Sequence, residues 1–311
     1  MGIIKGVCIS EKKGTQKHTV ESAELIENFG IKDDAHAGDW HRQVSLLSFE
    51  KIEEFRAKGA EVDFGAFGEN IIVEGYDFRT LPVGTRFACG DAILEMTQIG
   101  KECHTHCAIY QVMGDCIMPR EGVFVKVIKG GKIKPGDEMV MLPLDNNRPL
   151  TAAVITLSDK GSKGEREDKS GPILVEELKK AGYDVLETMI LPDNKAMLSH
   201  HLIRLADQRQ VNLILTTGGT GFSPRDITPE ATMAVATRNA PGIAEAIRGF
   251  SMSITPRAML SREASVIRNG SLIVNLPGSP KAVKECIDFV LPTLRHGIEI
   301  LTERTGECGN N

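Results

Sequence analysis

From residue 152 to residue 301 the chain alternates short apolar runs with segments of helical spacing, and this alternation restricts the fold more than any other feature. Residues 152–157, 184–191, 211–217 and 271–276 have the length and composition of strands. Residues 171–180 (stopping at Gly182), 194–207, 230–237, 242–250 and 280–301 read as helices. Strands separated by helices predict a layered α/β domain on a largely parallel sheet. Ligands of such sheets bind at the carboxyl ends of the strands, so the loops leaving them carry the functional argument.

The preceding residues have another habit. Glycine recurs between β-rich runs at 68–73, 85–89, 92–96, 123–128 and 138–142, and Gly130-Gly131 predicts a hairpin turn between two strands. Only residues 48–58 have helical spacing, through Phe49, Ile52 and Phe55. A mostly-β domain follows, a curved sheet or barrel. The proline-bracketed polar stretch at 143–149 reads as a linker, which places domains at 1–145 and 150–311.

Composition removes several function classes. A net charge of −5 gives no global field to steer DNA or RNA, and one Trp with three Tyr leaves little surface for base stacking. No run approaches the ~18 apolar residues of a membrane span. The first residues lack the apolar core of a signal peptide. Seven irregularly spaced cysteines fit a reduced compartment. The expectation is a cytoplasmic protein acting on small molecules, with neither nucleic acid nor membrane as partner.

Thr216-Thr217-Gly218-Gly219-Thr220-Gly221 leaves the strand at 211–217. Its glycines let backbone N–H groups approach an anion, and its threonines add hydroxyl donors. Asp226 follows closely, then Thr228 and Pro229, which read as a helix cap and first helical residue. A carboxylate beside a phosphate loop points to Mg²⁺, which is usually held by one or two carboxylates and substrate phosphates. A second turn, Leu276-Pro277-Gly278-Ser279-Pro280, places Ser279 as a cap at another anion-receptive helix start. Ser158-Asp159-Lys160-Gly161 and Pro192-Asp193-Asn194 supply two further polar loops.

These residues, with Asp168-x-Ser170-Gly171-Pro172, Arg225-Asp226-x-Thr228-Pro229-Glu230 and Leu260-Ser261-Arg262, occur in the order seen in the molybdopterin adenylyltransferase (Mog/MoaB) family, which the chain resembles over about residues 150–302. The resemblance implies a three-layer α/β domain, commonly trimeric, that joins the phosphate of molybdopterin to AMP from Mg-ATP. It implies Asp226 at the Mg²⁺ or at the nucleophilic phosphate, with Asp193 in support. Ser158, Asp159, Thr217, Gly218, Gly219, Thr220 and Gly221 would cradle ligand phosphates, and Ser261 and Ser279 would line the site. Residues 262–267 depart from the family in lacking glycines that often follow its Ser-Arg.

The first half concentrates its chemistry in Lys101-Glu102-Cys103-His104-Thr105-His106-Cys107. Zinc and a reactive thiolate are both open to it; four ligands within five residues would be crowded for zinc, whereas Lys101 and the histidines favour a thiolate. Cys8, Cys89 and Cys116 read as buried structural cysteines. Asp34-Ala35-His36-Ala37-Gly38, His41-Arg42-Gln43-Val44-Ser45-Leu46, Gly65-Ala66-Phe67-Gly68-Glu69-Asn70-Ile71, Gln98-Ile99-Gly100-Lys101-Glu102-Cys103 and Arg120-Glu121-Gly122-Val123-Phe124 resemble the MOSC domain over about residues 1–142. That resemblance implies that Cys103 carries sulfur or ligates the metal of the molybdenum cofactor, and that His36, Arg42 and Arg120 hold its phosphate. Glu102 stands where the family has Pro, and Cys107 is a rival nucleophile.

Both halves thus point to molybdenum-cofactor biosynthesis: an adenylyltransferase working beside other cofactor-biosynthesis proteins, trimeric through its C-terminal half. A non-catalytic cofactor carrier, and an enzyme of the same fold acting on another phosphate ester, are the competing readings.

Overall fold

Seven strands of the N-terminal unit close into a barrel. The computed structural model describes residues 1–102, 110, 113–145 and 147–304, and contacts divide the chain after Asp145. Gly2–Ile9 pairs with Glu138–Met141 on one side and Ile71–Glu74 on the other. From Glu138–Met141 the ring continues through Arg86–Cys89, Ala92–Ile99, Val123–Lys129 and Val44–Ser48 back to Ile71–Glu74, this last pairing being parallel. Closure leaves the barrel without a free edge. The pleat then separates neighbouring side chains. Leu46, Ile71 and Val73 join Ile4, Phe87, Leu94 and Met139 in one core cluster, while Leu47 and Ile72 pack with Ile52 and Phe55 of the helix Phe49–Arg56.

One sequence expectation changes here, and one strand had escaped the sequence reading. Gly130-Gly131 is not a hairpin turn: Gly131–Ile133 pairs with Ala23–Ile26 instead of folding back on Val123–Lys129. Neither glycine has the positive φ that a tight hairpin needs. Close approach requires them instead, since a Cβ would stand 2.7 Å from the Leu25 carbonyl oxygen at Gly130 and 2.8 Å from the Ala92 nitrogen at Gly131. The strand Gly2–Ile9 gave no alternating signal because Gly2 and Gly6 face rings, where a Cβ would meet Tyr76 at 2.7 Å and Phe64 at 2.8 Å.

The C-terminal unit has the expected three layers. Its sheet runs Asp184–Leu191, Thr151–Leu157, Leu213–Thr217, Ser271–Leu276, all parallel, then Ser265–Arg268 and Arg238–Asn239, antiparallel. Val154, Leu215 and Val274 pack on one face against Leu178 of the helix Ser170–Lys180, Ile247 of Pro241–Ile254 and Ile287 of Pro280–Leu301. Ile155, Ile214 and Ile273 pack on the other against Leu198 and Leu202 of Lys195–Ile203 and Ala231 of Thr228–Ala234. Strands covered on both faces read as continuous apolar runs, which is why they were legible. The helix expected at 230–237 instead runs Thr228–Ala234, and the edge strands of two and four residues are too short to show a period.

The barrel unit buries a charged cluster. Lys17 and Asp34 form an ion pair with almost no exposure, and Asp34 also accepts from the backbone N–H groups of Ser10 (3.0 Å) and His36 (3.1 Å). Glu69 is fully buried and accepts from the N–H groups of Gly65 (2.8 Å) and Phe67 (3.0 Å). Burial nevertheless pushes its carboxyl up from 4.5 to about 7. The native state then binds more protons than the unfolded chain, so this contribution to stability is present below pH ~4.5 and is lost as pH rises to ~7, amounting to roughly 3 kcal/mol. His36, lowered by burial and by Lys17, works in the opposite direction. A comparison with Glu69→Gln isolates the glutamate, and Trp40, the single Trp, reports unfolding of this unit by fluorescence. Between pH ~4.5 and ~7.5 the wild type should lose about 3 kcal/mol of unfolding free energy relative to Glu69→Gln in urea titrations. A constant difference would exclude Glu69 as the titrating group.

Candidate functional site

Four loops at the carboxyl ends of the parallel strands surround a cavity of about 700 Å³, lined among others by Ser158, Asp159, Asp193, Thr217, Gly218, Gly219, Asp226 and Gly278. The loop after Leu213–Thr217 can take its path only with glycine at two positions. Gly218 and Gly219 have φ of 95° and 64°, and a Cβ on either would stand 2.5 Å from the Leu157 carbonyl oxygen or the Thr228 hydroxyl.

Two of the loop's threonine hydroxyls are engaged within the protein. Thr217 donates to the Pro277 carbonyl at 2.6 Å, and buried Thr216 accepts from the Asn275 amide at 2.8 Å. Thr228 does not cap its helix with its side chain; its hydroxyl donates to the Gly218 carbonyl at 2.9 Å, fixing the glycine loop from below. Ser279 does occupy the cap position of the helix Pro280–Leu301, but makes no side-chain cap bond and is exposed.

Three carboxylates crowd one side of the cavity. Asp159 and Asp193 brace each other, each backbone N–H donating to the other's carboxylate at 3.2 and 3.0 Å. Arg225 pairs with Asp159 and holds its carboxyl below the ordinary range. Asp193 is raised instead, first by burial and then by the charges of Asp159 and Asp226. Asp226 accepts from the Ser223 N–H at 3.0 Å. Arg262 secures this segment by donating to the carbonyls of Gly221 and Asp226, both at 2.7 Å.

Several residues here escaped the sequence reading as site residues. Asp168 caps the helix Ser170–Lys180 by accepting from the N–H groups of Ser170 and Gly171, both 3.0 Å, and takes the Thr156 hydroxyl at 2.7 Å. Lys160, Arg166 and Lys169 bring positive charge to the cavity wall. Asn275 joins Thr216 to Thr232 (2.9 Å) and accepts from the Ala264 N–H (3.2 Å). Its signal was available: a lone amide inside an otherwise apolar buried run must have partners. Thr220, Gly221 and Ser261 line a second, smaller cavity rather than this one.

In the barrel unit, Cys103, His104, His106 and Cys107 lie outside the described residues. His36 sits beside Lys17, with Nδ1 3.4 Å from Nζ, and its carbonyl accepts from the Trp40 indole at 2.9 Å. The Arg42 guanidinium stacks 4.8 Å over the Trp40 ring, so Trp40 links these two residues. Arg120 grips Asp115 with both terminal nitrogens, at 2.7 and 2.9 Å. Cys8, Cys89 and Cys116 are buried, and burial pushes the first two thiols up to about 12, away from reactivity. Among the described residues no group of three or more His, Cys, Asp or Glu is placed to hold a metal, and no helix is long and apolar enough to cross a membrane.

Comparison with known proteins assigns each half. A model of the probable molybdopterin binding domain matches residues 153–296, and the MOSC domain model matches residues 33–140. A molybdopterin adenylyltransferase of Helicobacter pylori (strain J99) is 41% identical over 150 residues, which cover 48% of this chain and 85% of the relative. One from Escherichia coli (strain K12) is 44% identical over 143 residues, covering 45% and 73%. A solved structure of the molybdopterin biosynthesis enzyme MoaB from Thermus thermophilus shares 41% identity over 50% of this chain and 97% of that one, with a TM-score of 0.48. Through its C-terminal half the chain belongs to the molybdopterin adenylyltransferase family of molybdenum-cofactor biosynthesis, and a MOSC domain precedes that half.

Proposed function

We propose that the C-terminal unit transfers AMP from Mg-ATP to the phosphate of molybdopterin in the cytosol, and that the MOSC unit handles the cofactor or its sulfur through Cys103. The observation that carries the first part is the strand-end cavity, where a tight glycine loop, two helix starts and lysine and arginine side chains face three carboxylates. A phosphate oxygen of molybdopterin attacks the α-phosphorus of ATP, the bond to the bridging oxygen breaks, and pyrophosphate leaves. Bringing two polyanions together is the main obstacle, and fixed dipoles with positive side chains offset it. The loop 217–219 and the N-terminus of Pro280–Leu301 supply the dipoles, and Lys160, Arg166 and Lys169 the charge.

The donor set suits Mg²⁺. Asp193 and Asp226 offer only oxygen, and the Asp193 carboxyl is raised first by burial and then by the charges of Asp159 and Asp226, so acidic groups gather at one wall of the cavity. Two carboxylates completed by substrate phosphates and water are the usual way this ion is held. Mg²⁺ bound there would neutralise charge on the phosphates, while Asp159 stays engaged with Arg225. Asp226→Asn keeps the size of the side chain and removes its charge. We expect molybdopterin binding to persist and pyrophosphate release to fall by at least ~10²-fold, the scale of losing one electrostatic stabiliser. Unchanged turnover at saturating Mg-ATP would remove Asp226 from the chemistry; binding without any turnover by the wild type would make the protein a carrier.

Trimerisation through the C-terminal unit is part of this reading. A 150–311 fragment, folded by circular dichroism, should sediment as the same oligomer as the whole chain; a folded monomeric fragment would refute that assembly.

For the MOSC unit, the support is the basic residues that flank Cys103 in the sequence. His36 is held below its ordinary range first by burial and then by Lys17, with smaller contributions from Lys101 and Lys13, and in the sequence Lys101, His104 and His106 flank Cys103. Neighbouring positive charge stabilises a thiolate. His36, Arg42 and Arg120 complete this reading as holders of the cofactor phosphate. Mild alkylation at neutral pH, read by peptide mass with Cys103→Ala and Cys107→Ala in parallel, should label Cys103 first. Preferential labelling of Cys107, or stoichiometric zinc lost equally from both variants, would overturn the assignment.

A further inference from the structure

Lys17, in the loop that follows Gly2–Ile9, is 3% exposed, and its ammonium faces two acceptors. One is Asp34 Oδ1 at 2.5 Å, and the other is His36 Nδ1 at 3.4 Å. The side chains of Lys17 and Asp34 have almost no exposure, whereas that of His36 is 36% exposed. The imidazole therefore joins a buried ion pair to the surface. Its main chain is pinned at both ends: the His36 N–H donates to Asp34 Oδ2 at 3.1 Å, and its carbonyl accepts from the Trp40 indole at 2.9 Å.

This geometry selects one form of the ring. An ammonium has three N–H donors and no lone pair, so a nitrogen that faces it must accept. A proton on Nδ1 would have Asp34 Oδ2 as its alternative partner. That oxygen lies 3.8 Å away, beyond hydrogen-bond reach, and already takes the His36 N–H. The proton of the neutral ring then belongs on Nε2, on the side away from Lys17. Charging the ring would instead set an N–H and a like charge against the ammonium. Burial, then Lys17, hold His36 below its ordinary range, with Lys101 and Lys13 adding to them and Asp34 opposing. Burial also lowers Lys17, against the hydrogen bond and charge of Asp34. It would raise Asp34, but Lys17 and the N–H groups of Ser10 and His36 carry that carboxyl below its ordinary range.

We propose that Lys17 is a positioning residue, fixing His36 as a neutral imidazole with its proton on Nε2, so that the MOSC unit meets an oxyanion with a directional N–H donor and not with an imidazolium. The choice of a phosphate oxygen as the acceptor rests on the reading of His36 as a holder of the cofactor phosphate; the protonated nitrogen does not depend on it. A neutral donor forgoes some Coulomb attraction. In return its hydrogen bond keeps the same form across the pH range in which an unconstrained histidine titrates.

The test uses the full chain labelled with ¹⁵N at histidine. Long-range proton–nitrogen correlation spectra report which ring nitrogen carries a proton, and His36→Gln identifies the His36 signals among the eight histidines. In wild type at pH 7, Nδ1 should resonate as an unprotonated nitrogen and Nε2 as a protonated one. That pattern should persist below pH 6.5, the ordinary histidine midpoint. Lys17→Met removes the donor and leaves Asp34 as the charge beside Nδ1, so His36 should take a proton on Nδ1 at higher pH than in wild type. If that variant does not fold, Lys17→Met combined with Asp34→Asn removes the ion pair without stranding a buried charge. His36 should then show the tautomeric averaging of a free imidazole. A protonated Nδ1 in wild type at pH 7, or a midpoint and tautomer unchanged in the folded variants, would overturn the proposal. Inorganic phosphate separates the two readings. It should move the Nε2 signal and leave Nδ1 unprotonated; protonation of Nδ1 by phosphate would overturn the proposal. Phosphate that leaves every His36 signal unmoved would defeat the reading of His36 as a phosphate holder, and with it only the choice of ligand.

Discussion

The loops that follow Leu213–Thr217 and Ser271–Leu276 touch backbone to backbone, and the C-terminal site depends on that contact. A Cβ on Gly278 would lie 3.2 Å from the Gly218 Cα, and the Thr217 hydroxyl donates across the seam to Pro277. Ser170, at the start of its helix, donates to the Gly278 carbonyl at 2.9 Å, so a third element locks onto the same seam. These bonds hold irregular backbone in place without occupying the cavity beside it. The consequence is a preorganised wall of peptide dipoles.

Charge is arranged around this wall in opposed layers. Asp159 is neutralised by Arg225, whereas among the described residues Asp193 and Asp226, which line the cavity, have no such ion pair. Arg262 acts only on backbone carbonyls near Asp226 and on Glu230, so it sets the position of the acid more than its charge. In the barrel unit the same logic appears in buried form. Lys17 and Asp34 compensate each other, and Glu69 relies on two peptide N–H groups against the cost of burial.

Much of the architecture was legible because its signals are local. Strands buried on both faces, such as 152–157 and 271–276, show as continuous apolar runs, and the helices between them end at recognisable stops such as Gly182. Strands interrupted by glycine or serine were not legible. Val44–Ser48 is buried at every position although two of its five residues are serines, because Ser45 satisfies its hydroxyl on Gly68 and Asn70. The glycine pair at 130–131 looked like turn chemistry and is close packing instead, a distinction that depends on Leu25 and Ala92, distant in the chain.

Periodicity and motif spacing are properties of neighbours along the chain, and they were enough for the class of each half and the order of its main elements. Tertiary structure decided which atoms of the strand-end loops are available. The hydroxyls of Thr217 and Thr228 are engaged with carbonyls of other loop residues, and Thr220, Gly221 and Ser261 turn toward a second cavity. It also left Oε2 of Glu263 without a hydrogen-bond partner among the described residues while binding Arg248 to two carbonyls. Such outcomes follow from competition among donors and acceptors brought together by folding, and a hydrogen bond between residues sixty positions apart leaves no mark on the spacing of either.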